Sequence, residues 1–191
     1  MKKHISYSIC VFMVLGLLAP SVQAGAPGLW AAGARYHQEH SVYEGMPYGD
    51  GDFSYGIFYE LYESQSILQL GVSYAPDVTG STILTDSDDS DVEPVDQMFT
   101  PEINFLVRDG GWMFGVGMLM NYIELDEDVA VEEEEDEWSD LYWQLLFGYR
   151  LQLTYKLQAN LMAYYPYEDW GDLGDIDFDD FDFGVQVVGR F

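Results

Sequence analysis

Phe181-Asp-Phe-Gly-Val-Gln-Val-Val-Gly-Arg-Phe191 ends the chain and decides how the rest is read. Phe181, Phe183, Val185, Val187, Gly189 and Phe191 take every second place, and Asp182, Gly184, Gln186, Val188 and Arg190 lie between them. Successive side chains of a strand point to opposite faces, so this is a strand with one apolar face and one mixed face. A strand so patterned needs partners along both edges.

Seven further segments carry the same two-residue period, at about 29–38, 53–62, 67–75, 98–108, 112–122, 141–150 and 155–165. In 112–122, for example, Trp112, Phe114, Val116, Met118, Met120 and Tyr122 alternate with Gly115, Gly117, Leu119 and Asn121. Pro101 interrupts the fourth segment and predicts a weakly paired outer end there, because proline cannot donate to a ladder. Segments of about ten residues with this period are the pattern of a transmembrane β-barrel.

The connections alternate in length. Those at 63–66, 109–111 and 151–154 are short, while 39–52, 76–97, 124–139 and 167–180 are long. The pattern predicts an all-β fold: an eight-stranded antiparallel up-and-down barrel with short periplasmic turns and long extracellular loops. The long connections also explain the composition. The chain holds 34 acidic residues, seven Lys and Arg, and 16% aromatics. So acidic a chain would suggest disorder, yet the acids are segregated: 28 lie in the four long loops, which hold no Lys or Arg. Without clustered Lys and Arg, a nucleic-acid partner is excluded.

Met1-Lys2-Lys3, an apolar run through Leu18 and the small-residue stretch ending at Ala24 form a secretory signal. Residues 1–24 are thus expected to be removed, leaving a barrel domain at 25–191. Cys10 lies within the signal, so disulfide and thiolate chemistry leave with it. The mature chain keeps Arg35, Arg108, Arg150, Lys156 and Arg190 against all 34 acids, a formal charge of −29.

A soluble lipocalin-like barrel also alternates, but with its apolar face inward. Here aromatics gather toward strand ends on the apolar face (Phe99, Trp112, Tyr122, Trp143, Tyr149, Tyr155, Tyr165), as an interfacial girdle requires. The opposite face, rich in Gly and polar residues, suits a narrow interior. Export signal, strand pattern and terminal Phe191 together resemble small eight-stranded outer-membrane proteins of the OmpA, OmpX and OmpW type. The likeness is architectural and spans the mature chain. It implies a monomer in the outer membrane of a Gram-negative bacterium, contacting membrane lipid and lipopolysaccharide. It also implies that the last strand, through Phe183, Val185, Val187 and Phe191, closes the barrel and is read by the insertion machinery. Gly189 departs from the aromatic that many members carry there.

On the mixed face lie Arg35, Arg108, Arg150, Lys156 and Arg190 with Glu60, Glu102, Asp140 and Asp182, expected to form a polar lumen network. Eight strands leave an interior only just wide enough for side chains, so a filled core is expected over an ion path. His37 and His40 are the only mature histidines. His40 with Asp86 and Ser87 is the one grouping that suggests a lipid-modifying enzyme, but no nucleophile motif supports it. Surface or capping roles are expected for both histidines, a two-histidine zinc site is not favoured, and no catalytic residue is assigned. The runs with Asp86, Asp88, Asp89 and Asp91, and with Glu132, Glu133, Glu134 and Glu135, offer hard oxygens suited to Ca²⁺ or Mg²⁺. The expectation is a non-enzymatic barrel with a structural or surface-interaction role and no required cofactor beyond such cations. A narrow, porin-like passive channel is the alternative.

Overall fold

The ladder that fixes the architecture joins the first strand to the last. In a computed structural model, describing residues 28–38, 46, 48–76, 78–79, 81–82, 93–125, 137–168, 171–174, 176 and 178–189, the last strand pairs antiparallel with the first. Residues 1–24, expected to form the export signal, lie outside the described residues, as do Arg190 and Phe191.

The strands are β1 (Gly28–Tyr36), β2 (Phe53–Glu63), β3 (Ser66–Ala75), β4 (Ser81–Thr82), β5 (Glu93–Asp109), β6 (Trp112–Leu119), β7 (Tyr122–Leu125), β8 (Glu137–Trp138), β9 (Tyr142–Gln152), β10 (Leu157–Tyr167) and β11 (Asp182–Gly189). They form eight staves. β6 and β7 continue one another, β8 leads into β9, and β4 is a short flap on β5. Each stave pairs antiparallel with its chain neighbours, and β11 with β1 completes the ring. From Gly28 the aligned positions run through Leu61, Leu68, Phe105, Val116, Leu145 and Tyr165. Continued through β11, this path returns to β1 about ten residues along, a stagger that tilts the strands by roughly 40°.

The boundaries depart from the alternation in three places. β5 begins at Glu93, so part of the second long connection is strand. β10 begins at Leu157 and not at 155, because residues 153–156 make the turn: Leu153 and Thr154 both donate backbone N–H bonds to Leu157 O. Pro101 sits inside β5, in register with Val72 of β3. On its other edge Pro101 O accepts the Met120 N–H at 3.3 Å but has no N–H to return, and β6 and β7 part there at residues 120–121. The short hairpins use positive φ at their first turn residue, Ser64 (59°) and Gly110 (60°).

The outward face is a continuous apolar surface: Ile57, Phe105, Phe114, Val116, Leu161, Val185 and Val187 are all exposed. Directly paired aromatics tie neighbouring staves toward both ends. Trp30–Tyr59 and Trp112–Tyr149 lie 5.0 and 4.9 Å apart at the short-turn end; Tyr36–Phe53 and Tyr74–Phe99 lie 5.5 and 4.8 Å apart at the loop end. Such pairs add to sheet stability beyond their area.

Leu161 lies mid-stave, opposite Val185 and Tyr149. Leu161→Arg is therefore expected to cost about 2–4 kcal/mol of folding into lipid vesicles, whereas Leu153→Arg, in the turn, costs about 0–1 kcal/mol. Denaturant titrations of vesicle-inserted protein measure both. Equal penalties would mean that the lipid-facing parity is misassigned.

Candidate functional site

The inward positions alternate between apolar clusters and polar rows. Ile67, Leu106, Met113, Leu146, Met162 and Tyr164 form one apolar cluster, and Ala31, Phe58 and Val188 another. Phe58 fits because Gly56 and Gly71 leave bare backbone beside it. A Cβ on Gly71 would come within 2.2 Å of the Phe58 ring.

The polar positions run between these clusters and follow the register. Glu60, Gln69, Asn104, Gly117 and Gln144 lie opposite one another in turn on β2, β3, β5, β6 and β9. A second row runs Arg150, Asn160, Gln186, Gly33, Gly56, Ser73 and Thr100. Within these rows the side chains join. Arg150 Nη2 donates to both Glu60 oxygens at 2.8 Å, and Arg150 Nε donates to Asn160 Oδ1 at 2.7 Å. Gln69 donates to Glu60 (3.1 Å) and Gln186 (3.2 Å), and accepts from Asn104 (3.0 Å). Tyr62 donates to Glu60 and accepts from Arg150.

Glu102 is the second hub. It accepts from Arg35 at 3.1 Å, Ser73 at 3.2 Å, Asn104 at 2.9 Å and Gln144 at 2.8 Å. The Arg35 guanidinium also lies 3.7 Å from the centre of the Tyr164 ring. Glu60, Glu102, Asn104, Gln144 and Asn160 are essentially inaccessible. Side chains of β1, β2, β3, β5, β9, β10 and β11 enter this network, Thr100 bonds Asn121 of the stave of β6 and β7 at 2.7 Å, and Gly117 gives up the space for Asn104.

At the loop end an apolar layer covers the network: Met46, Tyr48 and Val78 from the connections pack on Met98, Leu119, Ile123 and Tyr142. Asp52 anchors the two connections to each other, accepting from Gly49 N, Thr79 N and Thr79 Oγ1 at 2.7–2.9 Å. Beneath Tyr48 lies His37. Its ring stacks on Tyr48 at 3.5 Å and 3°. Nδ1 lies 2.8 Å from Asp182 Oδ2, and Nε2 lies 2.8 Å from Ser54 Oγ. The Asp182 carboxylate only accepts, so Nδ1 carries a proton; in the neutral ring Nε2 then accepts from the Ser54 hydroxyl. All three residues are at most 2% exposed. Register explains the meeting: His37 continues the β1–β11 pairing one step past Tyr36–Phe183, facing Asp182, and Ser54 lies on its diagonal. Burial pushes the Tyr48 hydroxyl well above its usual range.

Of the residues expected in the lumen network, the structure brings together Arg35 with Glu102 and Arg150 with Glu60, and pairs Asp182 with His37. Three depart from the expectation. Asp140 is exposed, because residues 139–141 form the irregular join between β8 and β9. Lys156 is exposed, because it belongs to the turn before β10. Arg108 is only half-buried, one residue from the end of β5. Arg190 lies outside the described residues. Within the closing strand Phe183 is half-buried and Val185 and Val187 face outward, while Phe191 is outside the described residues. His40, Asp86, Ser87, Asp88, Asp89, Asp91, Glu132, Glu133, Glu134 and Glu135 lie outside them too. His37 corrects the expectation of a surface or capping histidine: it is 1% exposed.

Removing one partner of a buried ion pair strands the other charge. Glu102→Ala is expected to cost roughly 3–5 kcal/mol, and Arg35→Leu combined with Glu102→Leu to recover a large part of that loss. Unfolding titrations in vesicles read both. A Glu102→Ala protein as stable as the parent would show that the hub carries no charge pair.

No family model matches the chain, and no curated protein matches it. Among solved structures it is similar to that of Neisserial surface protein A (NspA), with a TM-score of 0.52 and 14% identity, over 87% of this chain and 99% of that one. At that identity the likeness carries the fold, and it agrees with the closed ring of staves: the chain is a small eight-stranded antiparallel β-barrel.

Proposed function

We propose that the protein is an outer-membrane barrel of a Gram-negative bacterium, exported by a cleaved signal, whose role is structural or surface-interacting. The observation that carries this reading is the segregation of 28 acidic residues into four loops at one end of the barrel. The barrel acts as a rigid stand, and the loops are its working surface outside the cell. A filled lumen supports this over the porin-like alternative, since the hydrogen-bonded network and the apolar layer above it occupy the bore. Membrane lipid and lipopolysaccharide surround the staves, and the insertion machinery engages the last strand.

Like charges so dense repel one another, and the screening length is about 8 Å at physiological ionic strength. Ca²⁺ or Mg²⁺ bridging carboxylates to one another, or to lipopolysaccharide phosphates, relieves that repulsion. The runs with Asp86, Asp88, Asp89 and Asp91, and with Glu132 to Glu135, supply the ligands.

Limited proteolysis of reconstituted protein at fixed ionic strength tests the cation part. Calcium is expected to slow loop cleavage relative to chelator, and replacing the four aspartates by Asn to remove part of that protection. Identical cleavage in calcium and chelator would make the acidic runs merely solvated. In planar bilayers the purified protein is expected to give no stepwise conductance; regular single-channel steps would restore the channel reading.

A further inference from the structure

We propose that Ser54, His37 and Asp182 form a nucleophilic relay at the loop end of the barrel, in which Ser54 accepts an acyl group from a carboxylic ester. This goes beyond the surface role proposed above and does not depend on cation binding by the loops. Three observations carry it. The first is geometric: an imidazole bonded at 2.8 Å to a carboxylate through Nδ1 and at 2.8 Å to a serine hydroxyl through Nε2. That is the arrangement in which a histidine acts as base toward serine while the carboxylate fixes its tautomer. The carboxylate is itself held, since Asp182 Oδ1 accepts the Gln38 N–H at 3.2 Å.

The second is a cavity of about 10 Å³ lined by Ser54, Arg35, Ser73, Tyr164 and Gln186. It has room for one water-sized group. Arg35 and Ser73 donate to Glu102, and Gln186 to Tyr164, so these donors serve a developing oxyanion in the cavity only by turning from those partners. The third is location. The relay lies directly below Tyr48, a residue of the first long connection. Among the described residues, that ring and the apolar layer around it separate the imidazole from the loop end.

The chemistry balances with water as co-reactant. Ser54 Oγ attacks the ester carbonyl carbon as His37 Nε2 takes the hydroxyl proton, and the carbonyl π pair moves onto oxygen, into the cavity. Collapse breaks the bond to the alcohol, which leaves with the proton from His37. Water, deprotonated by His37, then attacks the acyl-serine, releasing carboxylic acid and restoring the Ser54 hydroxyl. A histidine that merely tethers strands would show none of these steps.

The test uses the full mature protein, refolded in detergent, and a fluorophosphonate probe. Such a probe phosphonylates an activated serine oxygen, with loss of fluoride and transfer of the serine proton to the base. Adducts are mapped by mass spectrometry, and folding of each variant is checked by its heat-dependent gel shift. Wild type is expected to label at Ser54, and Tyr48→Ala at least tenfold faster. His37→Gln and Asp182→Asn should label at least tenfold more slowly, and Ser54→Ala should carry no adduct at that position. Absence of a Ser54 adduct in folded wild type and folded Tyr48→Ala overturns the proposal, as does labelling of Ser54 unaffected by His37→Gln. Should Tyr48→Ala fail to fold, the wild-type adduct and its dependence on His37 decide alone.

Discussion

A backbone N–H or C=O left unpaired in hydrocarbon costs several kcal/mol, so a sheet can stand in a bilayer only if its two edges meet. Here the ladder from Trp30–Gly189 to Tyr36–Phe183 brings them together. The other properties of the molecule descend from that ring. Eight staves fix a bore that side chains fill, without space for a water column. A charge pointing inward therefore cannot be solvated and must find an opposite charge or donors across the bore. Glu102 with Arg35 and Glu60 with Arg150 are that solution, each pair buttressed by amides that leave few lone pairs unmet. Such pairs repay their desolvation only when the surrounding hydrogen bonds are complete, which is why Gln69, Asn104, Gln144 and Gln186 accompany them.

The same constraint explains what could be read in the chain before its fold was known. A side-chain period of two, repeated in eight segments, is imposed by lipid outside and a packed bore inside; it specifies stave number, parity and closure almost unaided. Parity correctly put Arg35, Glu60, Glu102, Arg150 and Asp182 inside. It misplaced Asp140 and Lys156 because alternation carries no information about where pairing stops. Lys156 keeps the right phase for an inward residue, yet the backbone has already turned to meet Leu157. Pro101 shows the reverse: a local signal of weak pairing is overridden on one edge by β3 and obeyed on the other, where β6 and β7 separate.

Partner identity was the least legible property. Which inward residues meet depends on stagger, and stagger emerges only when every ladder is in register. His37 illustrates this. Its parity matches Arg35, so it belongs to the lumen side of the first segment, but it stands at that segment's outer end, where a surface or capping role is the plainer reading. Only the registers of β1 with β11 and of β1 with β2 put a carboxylate opposite it and a serine on its diagonal.

That dependence gives the Ser54–His37–Asp182 group a distinct physical character. Ser54 lies in β2, His37 just past the end of β1, and Asp182 is the first residue of β11, the stave that pairs with β1 only when the ring closes. In an open sheet the β1–β2 hairpin still brings His37 near Ser54, because those strands are neighbours in sequence. The carboxylate that fixes the imidazole tautomer is absent until β11 docks. The complete relay is therefore a property of the closed barrel alone. Tyr48 adds a second condition, since its ring can stack on His37 only once the first long connection folds into the mouth. Closure thus builds, in one step, both the hydrogen-bonded seam that admits the chain to lipid and the polar group that its outer mouth encloses.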